Sequence, residues 1–323
     1  MIEKGYVPKV SYRKTIEYIN SFEKSLKSYL SKKYKVIDFD LPILTNINKS
    51  VDINLEQKRY INFDNSSNNK IYQLISNYSN LMSYIIWNFE LQGNECAFFK
   101  YKVIERDSII TNNDSMQKNI YSINFVIHEE ERNIDFLTLM ASNIIEGINQ
   151  AIIESKQYYK TRTFFVDKKS YDILDIKKKY PLLSYKNSFN RFVTLKKSVL
   201  IYNVINEFTN SNVTNYKDPD SYDWENTMGW YLFDDNSQKP LEMFLISISP
   251  NWTIYTKQKL IYNSPIEDND YINKLKSDKF PPIVSIKINY DLLLYVILNK
   301  LNINELPCIN NEYNLNVIYK YFK

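Results

Sequence analysis

Apolar residues recur at three- and four-residue spacing near the start of the chain. Ile16, Ile19, Phe22, Leu26 and Tyr29 share one face, which predicts an amphipathic helix over 13–31. Val36-Ile37-Asp38-Phe39 and Leu41-Pro42-Ile43-Leu44 read as extended, the proline opposing a helix. Helical periodicity returns over 71–87. Segments 98–104 and 121–127 alternate in the manner of strands across a polar loop at 111–118. The longest helix candidate covers about 133–158, with Phe136, Leu139, Met140, Ile144, Ile148 and Ile152 on its stripe. Further strands are expected at 163–166, 198–204, 230–233 and 242–248, a polar loop at 206–226, and a closing helix at 292–301. Helices and strands mix without a regular βαβ alternation. The expected class is therefore α+β, an antiparallel β-sheet flanked by helices. No repeat or long linker divides residues 1–323, which read as a single domain.

Composition narrows the chemistry. The hydrophobic share of 44% and aromatic share of 15% are enough for a substantial core. The 4 glycines, Gly5, Gly93, Gly147 and Gly229, are scattered singly, which excludes a dinucleotide fingerprint or a P-loop. One histidine, His128, and two distant cysteines, Cys96 and Cys308, cannot build a structural zinc site, and the thiols read as inert in a reducing compartment. The net charge of +4 is mildly basic. Lysine clusters at 32–33, 168–169, 177–179 and 196–197 read as solvated faces, with tRNA-like RNA as the alternative partner. The 40 asparagines, with abundant Ile, Lys and Tyr, fit an AT-rich coding genome. No stretch approaches the roughly 20 apolar residues of a membrane span, and a cytoplasmic protein is expected.

Several segments carry a resemblance. They are Tyr6-Val7-Pro8-Lys9-Val10-Ser11-Tyr12-Arg13-Lys14-Thr15, Leu41-Pro42-Ile43-Leu44, Asn94-Glu95-Cys96-Ala97-Phe98-Phe99, Tyr180-Pro181 and Asp218-Pro219-Asp220-Ser221-Tyr222-Asp223-Trp224. In order and spacing, over about 6–300, they resemble the aspartate–ammonia ligase (asparagine synthetase A) family. The resemblance implies a class II aminoacyl-tRNA synthetase-like core and a homodimer joined near its N-terminus. It implies that the β-carboxylate of aspartate is activated by ATP as an acyl-adenylate, which ammonia then attacks. Such chemistry needs cations on the phosphates and carboxylates for magnesium and the amino group.

Set against that family, the cations are missing. Its His-Ser-Leu-Ala-Lys-Trp-Lys-Arg segment falls on Ser76 to Ser83, which carries none. The arginine for the α-phosphate aligns with Glu105, and the neighbouring Arg106 points to the opposite face of a strand. An aspartate-recognising acid aligns with Ile53, beside Asp52, and the substrate-binding Gln with Ile127. The Gly-Gly-Gly-Ile-Gly-Gln-Ser-Arg run, which lies under adenine and on the phosphates, reads Pro281-Pro282-Ile283-Val284-Ser285-Ile286-Lys287-Ile288. Its arginine position is Ile288, and Lys287 points to the other side.

Acids survive as Asp220, Glu242 and Glu129. Asp220, Glu242, Glu129 and Arg106 are the vestigial catalytic candidates, and Lys217, Asp220 and Glu242 the candidate substrate contacts. Glu129-Glu130-Glu131 reads as an acidic turn opening a helix, with a magnesium corner shared with Asp220 and Glu242 as its alternative. His128 reads as an exposed charge partner, and Asp218, Asp220 and Asp223 as turn formers. Trp224, Trp230 and Trp252 read as core or interface anchors. The resulting expectation is a catalytically inactive, asparagine-synthetase-A-like protein that binds a protein partner, such as an accessory or immunity protein of a virus, plasmid or mobile element. ATP and Mg enter only under the alternative, an active ligase rearranged around Arg106, Lys217 and Lys287. A binding module for an amino acid or tRNA-like RNA is the third reading.

Overall fold

The computed structural model describes residues 10–46, 62–65, 70–75, 77–104, 117–156, 164, 169–204, 221–261, 265–266, 268–277 and 280–306. Arg106, Lys217, Asp218, Asp220, Cys308, the Tyr6-Val7-Pro8-Lys9 part of the opening motif, and all but Phe164 of the expected strand at 163–166 lie outside them.

An eight-stranded sheet forms the centre, ordered β1-β5-β6-β11-β10-β9-β8-β7. Its strands are β1 (Lys35–Phe39), β5 (Glu95–Ile104), β6 (Gln117–Val126), β7 (Ser170–Asp172), β8 (Ser198–Tyr202), β9 (Thr227–Asp234), β10 (Lys239–Ile248) and β11 (Ile283–Asn289). A small sheet of β2 (Leu44–Asn46), β3 (Asn62–Asn65) and β4 (Lys70–Leu74) stands beside it. The core pairings are antiparallel, but the expected antiparallel sheet is corrected at both flanks. There β1 runs parallel to β5 and β7 parallel to β8. Each of these pairs is separated by intervening helix, the kind of long connection that parallel pairing requires.

Three helices cover one face of the sheet: α1 (Tyr12–Ser31), α3 (Ile134–Ser155) and α8 (Tyr290–Ile297). Ser11 caps α1, Asn133 caps α3 and Asn289 caps α8, each side chain accepting from a backbone N–H of the first turn. Their stripes interlock with Phe98, Tyr121, Ile123, Trp230, Phe244, Ile246, Ile286 and Ile288 in one continuous core. Helices α1 and α3 approach closely because position 147 is glycine: a Cβ there would sit 2.6 Å from the Tyr29 ring. By length and composition alone α3 is long and apolar enough to cross a membrane, but half of that stretch is buried within the fold, where Ile144, Ile148 and Ile152 belong to the core. Leu139, placed on its stripe by the sequence, is instead exposed, and Leu137 takes the buried position.

Among the described residues, helices pack on the opposite face at its two ends. At one end α2 (Ser79–Phe89) packs Met82 and Ile86 on Ala97, Phe99, Tyr101 and Ile283. At the other, α4 (Ile173–Lys179) and α5 (Tyr185–Lys196) pack on Val199, Ile201, Tyr231 and Leu245. The single helix expected over 71–87 is corrected to strand β4 followed by α2. The two are separated at Asn77, whose side chain accepts from the backbone N–H of Ser79 and opens a new start. Helices α6 (Trp252–Ile261) and α7 (Asp270–Lys276) lie between β10 and β11 in the chain.

Candidate functional site

Between these two apolar clusters the same face carries a polar strip. Cross-strand register places Ala97, Asn124, Ser285, Ser247 and Thr227 in one row, and Phe99, Ser122, Lys287, Leu245 and Gly229 in the next. Ser122, Asn124, Ser247 and Thr227 are fully or almost fully buried, an expensive choice unless their polar atoms are paired. Ser285 Oγ donates to Asn124 Oδ1 at 2.6 Å, and Asn124 Nδ2 donates to Ser122 Oγ at 3.1 Å. Ser285 and Lys287 are the half-buried members of the strip, and polar groups converging on one part of a rigid sheet are what a binding site requires.

Lys287 stands at the centre of this strip. Its Nζ donates to Tyr222 OH at 2.9 Å and to Ser79 Oγ, and lies 4.4 Å from the centroid of the Tyr222 ring. Ser79 Oγ in turn donates to Asn77 Oδ1 at 2.7 Å, and Asn77 Nδ2 donates to Ser221 Oγ at 2.7 Å. The side-chain alternation of β11 does separate Lys287 from Ile288, as expected. The face it assigns is reversed, because Ile288 sits 1% exposed in the helix-side core and Lys287 takes the polar face.

A second cation lies at the strand ends. Arg132, just before α3, donates from Nη1 to Asp223 Oδ2 at 3.1 Å and to the Ser249 carbonyl at 2.9 Å, and from Nε to Glu129 Oε1 at 2.8 Å. It borders a cleft of about 550 Å³ lined also by Glu129, Asn251, Phe280, Pro281 and Pro282. Asp223 serves as a turn former, accepting from the backbone N–H of Glu225 at 3.2 Å. His128 is exposed, and its backbone N–H donates to Glu131 Oε2 at 2.8 Å as the acidic turn leads toward α3. Trp230 is a core anchor, and Trp224 is also buried.

The candidate acids are not brought together. Glu242 lies near the start of β10 with Tyr231 OH donating to its Oε2 at 2.9 Å, whereas Glu129 lies by Asn251, beyond the end of that strand. Seven residues of strand between Glu242 and Ser249 correspond to roughly 20 Å. Among the described residues no group of three acids, histidines or cysteines is placed to hold a metal ion. Glu129 and Glu242 therefore do not meet in the magnesium corner that was the alternative to an acidic turn, and its third member, Asp220, lies outside the described residues. The Glu242 residue keeps some surface exposure, but its carboxyl is enclosed, and withdrawal from water pushes its pKa up to about 7 against the weaker opposing effect of the Tyr231 hydrogen bond. Tyr231 reaches this acid by crossing Gly229, where a Cβ would meet its ring at 2.5 Å. Burial also pushes the Cys96 thiol up to about 12, which keeps it inert.

Neither Lys287's cradle nor Arg132 is evident from local motifs. The available signal is the repeat of polar residues at period two within apolar strands: Ser122 and Asn124, Ser285 and Lys287. Arg132 gives less warning, since its partners Asp223 and Ser249 are 91 and 117 residues away.

The family model for aspartate–ammonia ligase matches residues 13–315. The chain belongs to the aspartate–ammonia ligase family. This member is 21% identical over 253 residues to an aspartate–ammonia ligase of Mycoplasmoides gallisepticum, covering 75% of each chain. It is 18% identical to that of Ureaplasma urealyticum serovar 10, covering 99% of each. In structure this family member resembles the asparaginyl-tRNA synthetase of Entamoeba histolytica in complex with asparaginyl-adenylate, with TM-score 0.60, 10% identity, and coverage of 93% of this chain and 67% of that one. The asparaginyl-tRNA synthetase of Pyrococcus horikoshii is similar at TM-score 0.54 and 11% identity, with 93% and 70% covered. The likeness establishes a class II aminoacyl-tRNA synthetase-like fold.

Proposed function

We propose that this family member retains ATP-dependent ligation of aspartate and ammonia, with its cations rebuilt on other elements. Lys287 carries the reading: an ammonium directed onto the polar strip supplies the positive charge missing from residues 76–83. Arg132 adds a second cation at the margin of the same face. The reaction would join the aspartate β-carboxylate to the AMP moiety, releasing pyrophosphate. Ammonia would then attack the acyl carbon and AMP would leave. The described acids do not fit a magnesium site, so no step is assigned to the metal. The work would take place in the cytoplasm, and a homodimer is part of the proposal by family resemblance.

A non-catalytic reading is favoured by a different observation. Ile283, at a family glycine position, is 1% exposed and packs with Tyr78, Met82 and Ile86, filling space that bare backbone leaves open. Under that reading the face binds a protein, a tRNA-like RNA or an amino acid without turnover. An assay for AMP and asparagine from ATP, aspartate and ammonia separates the readings. The ligase reading expects both products in equal amounts, with Lys287→Ala reducing kcat/KM by about 100-fold or more, the scale for removing a charged transition-state partner. Absence of product, together with no heat in calorimetry with millimolar ATP or aspartate, would leave only the macromolecular form of the second reading.

A further inference from the structure

Lysine is a poor device for placing charge by itself, since its four-carbon stem loses rotamer entropy when fixed. The surroundings of Lys287 are built to fix it. Tyr222 offers both its hydroxyl and its ring face to the same ammonium. Tyr222 is itself rigid: it is 5% exposed within the apolar cluster under α5. Its backbone carbonyl accepts from Gln258 Nε2 at 2.8 Å, and the Trp224 backbone N–H donates to Gln258 Oε1 at 2.8 Å, so a buried side chain of α6 clamps the turn on both sides. The third contact, Ser79, is aligned toward Lys287 by Asn77, which ties the start of α2 to the same turn through Ser221.

We infer that Tyr222 is a positioning residue for the Lys287 ammonium, and that Lys287, Tyr222 and Ser79 form one unit that presents an anion-binding cation at the start of α2. The ammonium meets α2 at Ser79, next to Asn80, the position at which the family segment carries a lysine. A cation rooted on β11 therefore reaches the start of α2. The ligand group is an anionic oxygen, a phosphate or a carboxylate. Its assignment to ATP rests on the ligase reading, whereas the positioning of Lys287 does not.

The test has two readouts. Competitive acylation of Lys287 with isotopically labelled acetic anhydride reports its placement without any turnover. Tyr222→Leu is expected to change the Lys287 labelling rate several-fold relative to the other lysines, and Tyr222→Phe, which keeps the ring, to change it less. Equal labelling in the wild type and both variants would overturn the inference. Where the wild type turns over, Tyr222→Phe is expected to raise the KM for ATP about 3- to 10-fold with kcat within about twofold, the size of one lost hydrogen bond. Tyr222→Leu combined with Lys287→Ala is expected to be no worse than Lys287→Ala alone, and additive losses would show that Tyr222 acts independently of the lysine. Lys287→Arg should recover part of the loss. Tyr222→Phe preserves the packing and keeps the test decisive if Tyr222→Leu does not fold. A wild type without turnover but with the expected labelling pattern defeats the ligase reading and leaves the positioning intact.

Discussion

The carboxyls of Glu242 and Asp291 are both more basic than in water, for the same reason. Enclosure disfavours their charged forms, raising Glu242 from 4.5 to about 7 and Asp291 from 3.8 to about 6. Each has hydrogen-bond partners that oppose the shift without cancelling it: Tyr231 for Glu242, and the backbone and side chain of Asn119 for Asp291. The native state therefore holds these protons to higher pH than the unfolded chain does. Their contribution to stability is fully present below pH about 4 and is lost as pH rises through about 6 to 7. For Glu242 the amount is on the order of 2–3 kcal/mol after allowance for its residual exposure. Urea midpoints between pH 5 and pH 8 should fall for the wild type. Glu242→Gln should flatten that slope and be the more stable protein at pH 8, and an unchanged slope in that variant would show that its proton does not contribute.

The short 3-10 turn Ile303–Glu305 follows α8 and pins the end of the described chain to the start of α1. Lys300 Nζ lies 3.3 Å from Thr15 Oγ1 and 3.8 Å from Glu305 Oε2, and both charged side chains are almost fully buried. Glu305 Oε1 meanwhile accepts from the backbone N–H groups of Leu301 and Asn302. Glu305→Gln can keep those two bonds while stranding a buried ammonium, and should cost about 3–5 kcal/mol in urea unfolding; removing the pair together, with Lys300→Met and Glu305→Gln, should cost much less. Such a junction is invisible in sequence, since its residues are close to one another but 285 positions from Thr15. Elements with a long apolar stripe, α1 and α3, are legible, as are the alternating parts of β5, β6 and β10. Helices α4, α5, α6 and α7 are short or carry weak stripes, and their places follow from packing. The site was legible mainly as a list of losses, with Lys287 named as a cation only under the rearranged-ligase alternative. Its cations become visible when the alternation of β11 turns Lys287 onto one face and folding brings Arg132 to Asp223.

At the scale of the molecule, the two faces of the sheet differ in how their cores connect. The helix side is one cluster running from Leu26 and Phe98 through Trp230 to Ile297, so truncation there is felt throughout. The other side holds two separate clusters with the polar strip between them, and α2 rests on only one of these. Stability should therefore be uneven, with α2 able to open while α1, α3 and the central strands remain folded. Met82→Ala should cost about 2–4 kcal/mol locally and speed amide exchange in α2 without changing it in α3. Ile148→Ala, of similar cost, should lower protection across the whole sheet. Uniform acceleration by Met82→Ala would show that the faces unfold as one. The same division gives the proposed ligand its leverage: an anion held between Lys287 and the start of α2 would bridge β11, α2 and the Tyr222 turn. ATP with aspartate should accordingly slow exchange at 77–83, 221–224 and 283–288 and leave the backbone of α1 and α3 as it was.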